Sequence, residues 1–139
     1  MQKSFLSPLL REPGGRYSIV NERTGSDIAT HVTAALDSRS RRKGLLGREG
    51  LKEGEALIIA QTNAIHTFFM RFPIDVAFVR RDGRVVTTRN TLKPWRLAAS
   101  LSAHLVVELP AGVLSRTGTR RDDMLTLLAR QPLNALRPE

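Results

Sequence analysis

The chain has 139 residues, no cysteine and a formal net charge of +9 at pH 7. A chain of this length forms a single domain whose core needs no disulfide or metal to fold. The absence of cysteine excludes a disulfide framework, a thiolate zinc site, an iron–sulfur cluster and cysteine-based catalysis. No apolar run approaches the roughly 20 residues of a membrane-spanning helix. Since no export signal is visible either, we expect a cytoplasmic protein without a membrane span.

Short segments of strand character recur along the chain, either alternating in polarity or continuously apolar. Turn-forming residues separate them, and Asp82-Gly83 is the clearest signal, because Asp-Gly favours a two-residue hairpin. The predicted strands are Arg16–Val20, Ile28–Leu36, Ala56–Ala60, Ala64–Met70, Ile74–Arg80, Arg84–Asn90, Ala103–Leu109 and Met124–Leu128. Strands at this spacing, with one or two short helices, predict a mainly β fold, either a small sandwich or a partly closed barrel.

The remaining segments are predicted to be one basic helix, a covering loop and two loose ends. The helix runs from Ser38 to Leu46 and stops near Gly47. Thr91–Ser102 has no strong period, so we predict a surface loop that covers one end of the sheet and is able to act as a lid. The predicted division is an N-terminal arm at 1–15, a β-rich domain at 16–129 and a C-terminal tail at 130–139.

The positive charge suits an anionic partner if the basic residues form a patch. Their densest run lies between Arg39 and Arg48, and the others are spread over predicted strand ends and turns. This run is interpreted as a solvated helix face or as a clamp for an acidic partner or phosphate. The single Tyr and single Trp offer few stacking platforms for single-stranded nucleic acid.

The densest polar and aromatic segment is IHTFFMRFPIDV, residues 65–76. In one interpretation, His66 and Asp75 lie across a corner and face one pocket, where a carboxylate orients an imidazole. In the other, Asp75 accepts backbone N–H groups of the corner at 71–73 or pairs with Arg71, and its role is structural. Phe69 or Trp95 is expected to floor the pocket. The predicted ligand-binding residues are His66, Thr67, Phe69, Arg71, Asp75, Trp95 and Glu108.

Four segments of the sequence, taken together, have a recognisable pattern. They are RKGLLGR at 42–48, the segment 65–76, the hairpin from Phe78 to Val86, and ELPAG at 108–112. Over roughly residues 32–127, this pattern resembles the bacterial and archaeal family called domain of unknown function 192. The resemblance implies a small, mainly β domain without an assigned biochemical activity. Many members of the family resemble exported proteins with a leader.

The resemblance is weaker in one turn near the end of the domain. Family members commonly have a turn similar to Gly-Leu-x-x-Gly-Asp-x-Leu, where this chain has GTRRDDML at 118–125. Asp123 matches the family Asp, but Asp122 stands where Gly is usual. An Asp tolerates a positive φ less well than Gly, so a functional role of this turn is not carried over to this chain.

The residues leave three classes of function open, and they assign no cofactor and no catalytic residue. The first is an accessory or binding domain that recognises a small molecule, a peptide or a partner protein around His66, Arg71 and Asp75. The second is an acid–base or metal-assisted hydrolase that uses His66 and Asp75 with Glu108, to which His104 adds a further metal ligand. The third is a basic protein that associates with nucleic acid.

Overall fold

The computed structural model describes residues 4–130. The strands in this part of the chain are β1 Arg16–Asn21, β2 Asp27–Ala29, β3 His31–Ala35, β4 Glu55–Ala60, β5 Ala64–His66, β6 Ile74–Val79, β7 Val85–Leu92, β8 Leu97–Ala99, β9 Leu105–Pro110 and β10 Leu125–Arg130. The helices are α1 Ser7–Arg11, α2 Ser38–Lys43 and α3 Val113–Thr117. None of these helices is long and apolar enough to cross a membrane.

Two sheets pack face to face around the main core. The larger sheet has the order β3-β4-β9-β6-β7 and the smaller one the order β10-β1-β2. Within the larger sheet, β3 and β4 are parallel and the other neighbours are antiparallel. Tyr17 and Ile19 of the smaller sheet share the core with Val107 and Leu109 of the larger one. The prediction of a small, mainly β domain is confirmed, and the sheets of the described residues do not close into a barrel.

The five-stranded sheet is buried on its outer face as well. A second cluster of buried residues places Phe78 and Val106 of the sheet with Leu45, which follows α2, and with Ile65 of β5. Strands β4, β6 and β9 are therefore buried on both faces, which explains why apolar residues occupy both sides of each strand. The predicted burial of Ala56–Ala60 on both faces is confirmed. On this outer side, β5 and β8 form a separate two-stranded sheet.

The prediction of a loose arm at 1–15 is wrong for the residues that the structure describes. Phe5, Leu6 and Leu9 are buried in the main core, and the Phe5 N–H donates to the Arg81 carbonyl oxygen at 2.7 Å. Short apolar segments beside a proline resemble a disordered end in sequence, but these side chains bury enough apolar surface to order the segment. The C-terminal tail beyond Arg130 lies outside the described residues.

Two further segments differ from the sequence-based prediction. The predicted strand Ile28–Leu36 is divided at Thr30, since β2 pairs with β1 while β3 pairs with β4 of the other sheet. The predicted loop Thr91–Ser102 contains β8, whose three residues pair with β5. Both differences concern long-range strand pairing, which local periodicity does not reveal.

The turn before β10 has the backbone conformation that its sequence makes unfavourable. Asp122 takes a φ of 73°, a conformation that glycine adopts readily and aspartate adopts less readily. The next residue, Asp123, accepts hydrogen bonds from Asn21 Nδ2 at 2.9 Å and from the Arg23 guanidinium. This ion pair holds the pKa of Asp123 well below its usual range. The turn is therefore held in place by the carboxylate of Asp123.

Asp75 has a structural role, although its partners are not the predicted ones. Its buried carboxylate accepts the backbone N–H groups of Thr91 at 2.8 Å, Gly112 at 3.1 Å and Leu114 at 2.9 Å. These bonds join β6 to the end of β7 and to the start of α3. The predicted partners, Arg71 and the 71–73 corner, are not among its hydrogen-bond donors within residues 4–130.

We expect Asp75→Asn to lower the free energy of unfolding by about 2 to 3 kcal/mol, because an amide cannot accept three N–H groups as well as a carboxylate does. Asp82→Asn is the control, since Asp82 lies in a turn and accepts one N–H, from Arg84. We expect that variant to lose no more than about 1 kcal/mol. Urea denaturation measures both values, and wild-type stability of Asp75→Asn would contradict the structural role.

Candidate functional site

A cavity of about 660 Å³ opens on the outer face of the five-stranded sheet, between α2 and β5. Arg41, Arg42 and Lys43 of α2 form a basic wall. His66 of β5 lies on the other side, and Glu108 of β9 belongs to the floor. The cavity therefore combines three cationic side chains, an imidazole and one carboxyl group.

The rest of the lining is largely apolar. Leu45 and Leu46 follow α2, and Ile59 comes from β4. Ile65 belongs to β5, and Met70 lies four residues after the end of that strand. Cavities that bind small molecules have this composition, with apolar walls for the carbon skeleton and a few polar groups that orient the ligand.

Local sequence explains why the basic residues are gathered on one short helix. Asp37 Oδ1 accepts the Ser40 N–H at 2.7 Å, and the Ser40 hydroxyl is within hydrogen-bond distance of the Asp37 N–H, which together form a capping box. The helix ends at Gly44, where φ is 46°. Basic residues in the last turn are favourable beside the helix C-terminus. The predicted helix is thus confirmed over Ser38–Lys43, and Leu45 and Leu46 pack from the following turn.

Glu108 is the least satisfied polar residue of this region. Only 4% of its surface is exposed, and its Oε2 atom has no hydrogen-bond partner among residues 4–130. Its neighbours on the adjacent strands are Leu57 and Val76, both apolar. Burial raises the pKa of Glu108 to about 7. A buried carboxyl group without a partner lowers stability, and such groups are concentrated in functional sites.

His66 does not meet Asp75. In the pairing of β6 with β9, Asp75 lies opposite Leu109 and Val76 lies opposite Glu108. Since successive side chains alternate between faces, Asp75 points into the sandwich and Glu108 points to the cavity side. The predicted pair of His66 and Asp75 is therefore not formed, and the carboxyl group that shares a cavity with His66 is that of Glu108.

The His66 ring lies at the edge of the cavity and is exposed to solvent. Its Nδ1 atom is 3.3 Å from the backbone nitrogen of Phe68 and accepts that N–H. This bond leaves Nε2 available to a ligand. The ring centroids of His66 and Phe68 are 5.0 Å apart, so the cavity edge continues into aromatic side chains.

Thr67 connects the two chain segments beside the cavity. Its buried hydroxyl donates to the Lys93 carbonyl oxygen at 2.7 Å and accepts the Arg96 N–H at 2.9 Å. Its backbone N–H donates to the Arg96 carbonyl oxygen at 2.8 Å, and its carbonyl oxygen accepts the Trp95 N–H at 3.0 Å. Thr67 thus positions the neighbouring loops and is not itself part of the cavity lining.

The side chains of Phe69 and Trp95 lie on the surface, 71% and 55% exposed. Their ring centroids are 4.6 Å apart, and that of Phe68 is 5.8 Å from that of Trp95. We name the group of His66, Phe68, Phe69, Trp95 and Leu97 the aromatic patch. Neither Phe69 nor Trp95 lines the cavity, whose floor is formed by the sheet instead.

The structure thus brings two of the seven predicted site residues, His66 and Glu108, to one cavity. Arg71 is exposed and lies outside the lining. Sequence reasoning missed the wall formed by α2, although it identified the basic run. The sequence did contain one signal for the cavity itself, namely Glu108, which is a carboxylate inside the apolar run of β9.

A metal site that combines His66, His104, Glu108 and Asp75 does not assemble. The described residues contain no group of three or more His, Cys, Asp or Glu side chains able to hold a metal ion. His104 lines a neighbouring, more open depression, which shares Gln61 and Thr62 with the cavity but does not include His66 or Glu108.

The raised pKa of Glu108 predicts how stability changes with pH. The unfolded carboxyl group ionises at about pH 4.5 and the folded one at about pH 7, so its contribution to stability falls as pH rises through this range. We expect Glu108→Gln to match wild type below pH 4.5 and to exceed it by up to about 3 kcal/mol above pH 7. Urea denaturation at several pH values measures the difference.

Glu55→Gln is the control for this experiment. The Lys52 backbone N–H lowers the pKa of Glu55, so its contribution to stability is lost as pH falls, which is the opposite direction. A difference between Glu108→Gln and wild type that stays constant with pH would show that Glu108 is not buried as described.

The hydrogen bonds of Thr67 predict that its hydroxyl group stabilises the folded protein. We expect Thr67→Val to lower the free energy of unfolding by about 1 to 3 kcal/mol, because the Arg96 N–H and the Lys93 carbonyl oxygen lose their partner. Thr67→Ser keeps the hydroxyl and is expected to lose less than Thr67→Val. A loss in Thr67→Val no larger than that in Thr67→Ser would contradict the role of the hydroxyl.

The comparisons with known proteins agree with this fold. A protein of unknown function from Novosphingobium aromaticivorans matches with a TM-score of 0.67 and 22% identity, over 79% of this chain and 82% of its own. A protein from Sinorhizobium meliloti, described as a "putative transcription regulator", matches with a TM-score of 0.68 and 23% identity, over 80% and 91%. No curated protein gives a significant match.

A family model supports the resemblance noted in the sequence. The model of domain of unknown function 192, described as "Uncharacterized ACR", matches residues 19–127. This range includes α2, the aromatic patch and β9, and hence the whole cavity lining. The chain belongs to the DUF192 family.

Proposed function

We propose that this protein is a binding domain for a small organic anion that carries an N–H or O–H group, held in the cavity above Glu108. The single observation that supports the proposal most strongly is the buried carboxyl group of Glu108, a residue of the cavity lining whose Oε2 lacks a hydrogen-bond partner among residues 4–130. A ligand that donates to this oxygen would supply the missing hydrogen bond.

The charge of the lining favours an anion. Arg41, Arg42 and Lys43 contribute three positive charges, and Glu108 contributes at most one negative charge. Since the pKa of Glu108 is about 7, the carboxyl group is partly neutral at physiological pH and opposes an anion less than an ordinary glutamate does. The apolar residues between wall and floor accept a short carbon skeleton. Amino acids, hydroxy acids and sugar phosphates have this chemistry.

This proposal narrows the first of the three classes drawn from the sequence, which allowed a small molecule, a peptide or a partner protein. The cavity volume of about 660 Å³ is that of a small-molecule site. The predicted ligand contacts of His66 and Glu108 are retained, while those of Asp75 are replaced by contacts with α2.

Acid–base catalysis is the second candidate function, and one observation favours it. A carboxyl group with a pKa of about 7 is able both to donate and to accept a proton near neutral pH. In this case Glu108 takes the role that the sequence suggested for Asp75, with His66 at the cavity edge. Chemical conversion of a bound ligand that stops in Glu108→Gln would identify an enzyme.

Association with nucleic acid is the third candidate. The S. meliloti protein is described as a "putative transcription regulator", and the basic residues of α2 are compatible with such a role here. A short helix and three basic residues around a cavity recognise a single phosphate group more readily than a duplex. We therefore rank this candidate below the binding of a small anion.

The test is a ligand screen followed by titration of two variants. Thermal unfolding with amino acids, hydroxy acids and sugar phosphates identifies compounds that raise Tm. We expect Glu108→Leu and Arg42→Gln to weaken binding of such a compound at least about tenfold in calorimetric titration, since each loses a contact worth about 1.4 kcal/mol or more. Glu108→Leu is also expected to be more stable than wild type above pH 7, since it removes a buried carboxylate.

Arg121→Gln is the matched control, because Arg121 is exposed in the turn before β10 and lies outside the cavity. We expect this variant to bind as wild type does. Unchanged affinity of Glu108→Leu for every compound that stabilises the wild type would place the ligand elsewhere, and the proposal would be wrong.

A further inference from the structure

The aromatic patch forms a connected apolar surface at one end of the two-stranded sheet. His66 ends β5 and lies opposite Leu97, the first residue of β8. The segments that follow β5 and precede β8 therefore meet at the same end, where the Phe68 and Phe69 rings lie against the ring of Trp95. Leu97 is 69% exposed, comparable to Phe69 and Trp95. Large apolar side chains grouped in this way on a surface indicate a contact site.

The backbone beneath the patch is strained. Phe69 and Trp95 have φ values of 66° and 64°, a conformation that costs bulky residues of the order of 1 kcal/mol or more. Both side chains are mostly exposed, so burial does not compensate for this cost. The hydrogen bonds of Thr67 hold the two segments in place. An exposed aromatic residue at a position suited to glycine or asparagine favours a role in contact with a partner.

The charged residues of the segments that carry the patch are all basic. Residues 61–74 and 91–107, which contain β5, β8 and the segments beside them, include no Asp or Glu. Arg71, Lys93 and Arg96 lie within two residues of Phe69 or Trp95 and are exposed. The surface is therefore complementary to a partner that presents negative charge over an apolar layer.

We propose that the aromatic patch docks onto an anionic lipid bilayer. Trp and Phe side chains lie at the level of the lipid headgroups, Leu97 reaches the start of the acyl chains, and the basic residues contact lipid phosphates. Exposed leucine adds nothing to nucleobase stacking, and the Phe69 and Trp95 rings are inclined by 56° to each other, which does not form a flat platform. A bilayer thus fits the composition better than single-stranded nucleic acid. The patch adjoins the ligand cavity at His66, but the proposal does not depend on a ligand in that cavity.

The chain provides its own probe, because Trp95 is its single tryptophan. With vesicles of phosphatidylcholine and phosphatidylglycerol, we expect Trp95 emission to shift to shorter wavelength and to be quenched by brominated acyl chains. Vesicles of phosphatidylcholine alone are expected to bind at least tenfold more weakly, since each basic residue near an anionic surface contributes about fivefold in affinity, equivalent to about 1 kcal/mol.

Variants separate the apolar contribution from the charge. Phe69→Asn keeps the tryptophan probe and suits a positive φ, so we expect a folded protein with at least about fivefold weaker vesicle binding. The double variant Lys93→Gln and Arg96→Gln is expected to bind anionic vesicles at least tenfold more weakly.

The controls are Leu10→Ala and Arg121→Gln, which change an exposed leucine on α1 and an exposed arginine before β10. Vesicle flotation of these variants and of Glu108→Leu should equal that of wild type.

The proposal is overturned if Trp95 emission does not shift with anionic vesicles. It is also overturned if Phe69→Asn, shown by circular dichroism to be folded, floats with vesicles as wild type does. Tighter binding to a single-stranded oligonucleotide, with quenching of Trp95 but no shift and with steep loss of affinity in salt, would assign the patch to nucleic acid instead.

Discussion

Burial of the five-stranded sheet on both faces underlies most of the other features of this fold. A sheet that met solvent on its outer side would expose Glu108 and leave it an ordinary surface carboxylate. Instead, the segment after α2 and the β5–β8 sheet cover that side with Leu45 and Ile65. They leave the cavity between them, and Glu108 is enclosed there with no hydrogen-bond partner for its Oε2 within residues 4–130. The same packing therefore forms the apolar core and buries in it a carboxyl group to which the core offers no hydrogen bond.

The two buried carboxylates of the central strands show how environment separates structure from function. Asp75 and Glu108 lie on β6 and β9, which are paired, but on opposite faces. Asp75 accepts three backbone N–H groups and joins strands to a helix. Glu108 has apolar neighbours and a raised pKa. A carboxylate with complete hydrogen bonding stabilises the fold, whereas a buried one without it lowers stability, and for Glu108 we propose that a ligand supplies the missing bond.

The region of β5 and β8 concentrates the features that the fold itself does not require. It contains the exposed aromatic side chains, the strained backbone at Phe69 and Trp95, and His66 at the cavity edge. Thr67 is the buried residue that holds these parts together, since it bonds to both Lys93 and Arg96. A rigid base beneath exposed contact residues is an arrangement suited to binding, because little conformational entropy is lost when the partner arrives.

Local sequence signals were sufficient for the mainly β class, the short basic helix, the family and the hairpin at Asp82-Gly83, although its loop has three residues and not the predicted two. These features depend on local periodicity, capping and turn residues, or on continuous motifs. The sequence also singled out His66 and Glu108. Three outcomes follow from the tertiary structure alone: Asp75 faces away from His66, Phe5, Leu6 and Leu9 are packed into the core, and α2 forms a wall of the cavity. These outcomes depend on strand order and on which face of each strand is covered, and a period-two pattern disappears when both faces are buried.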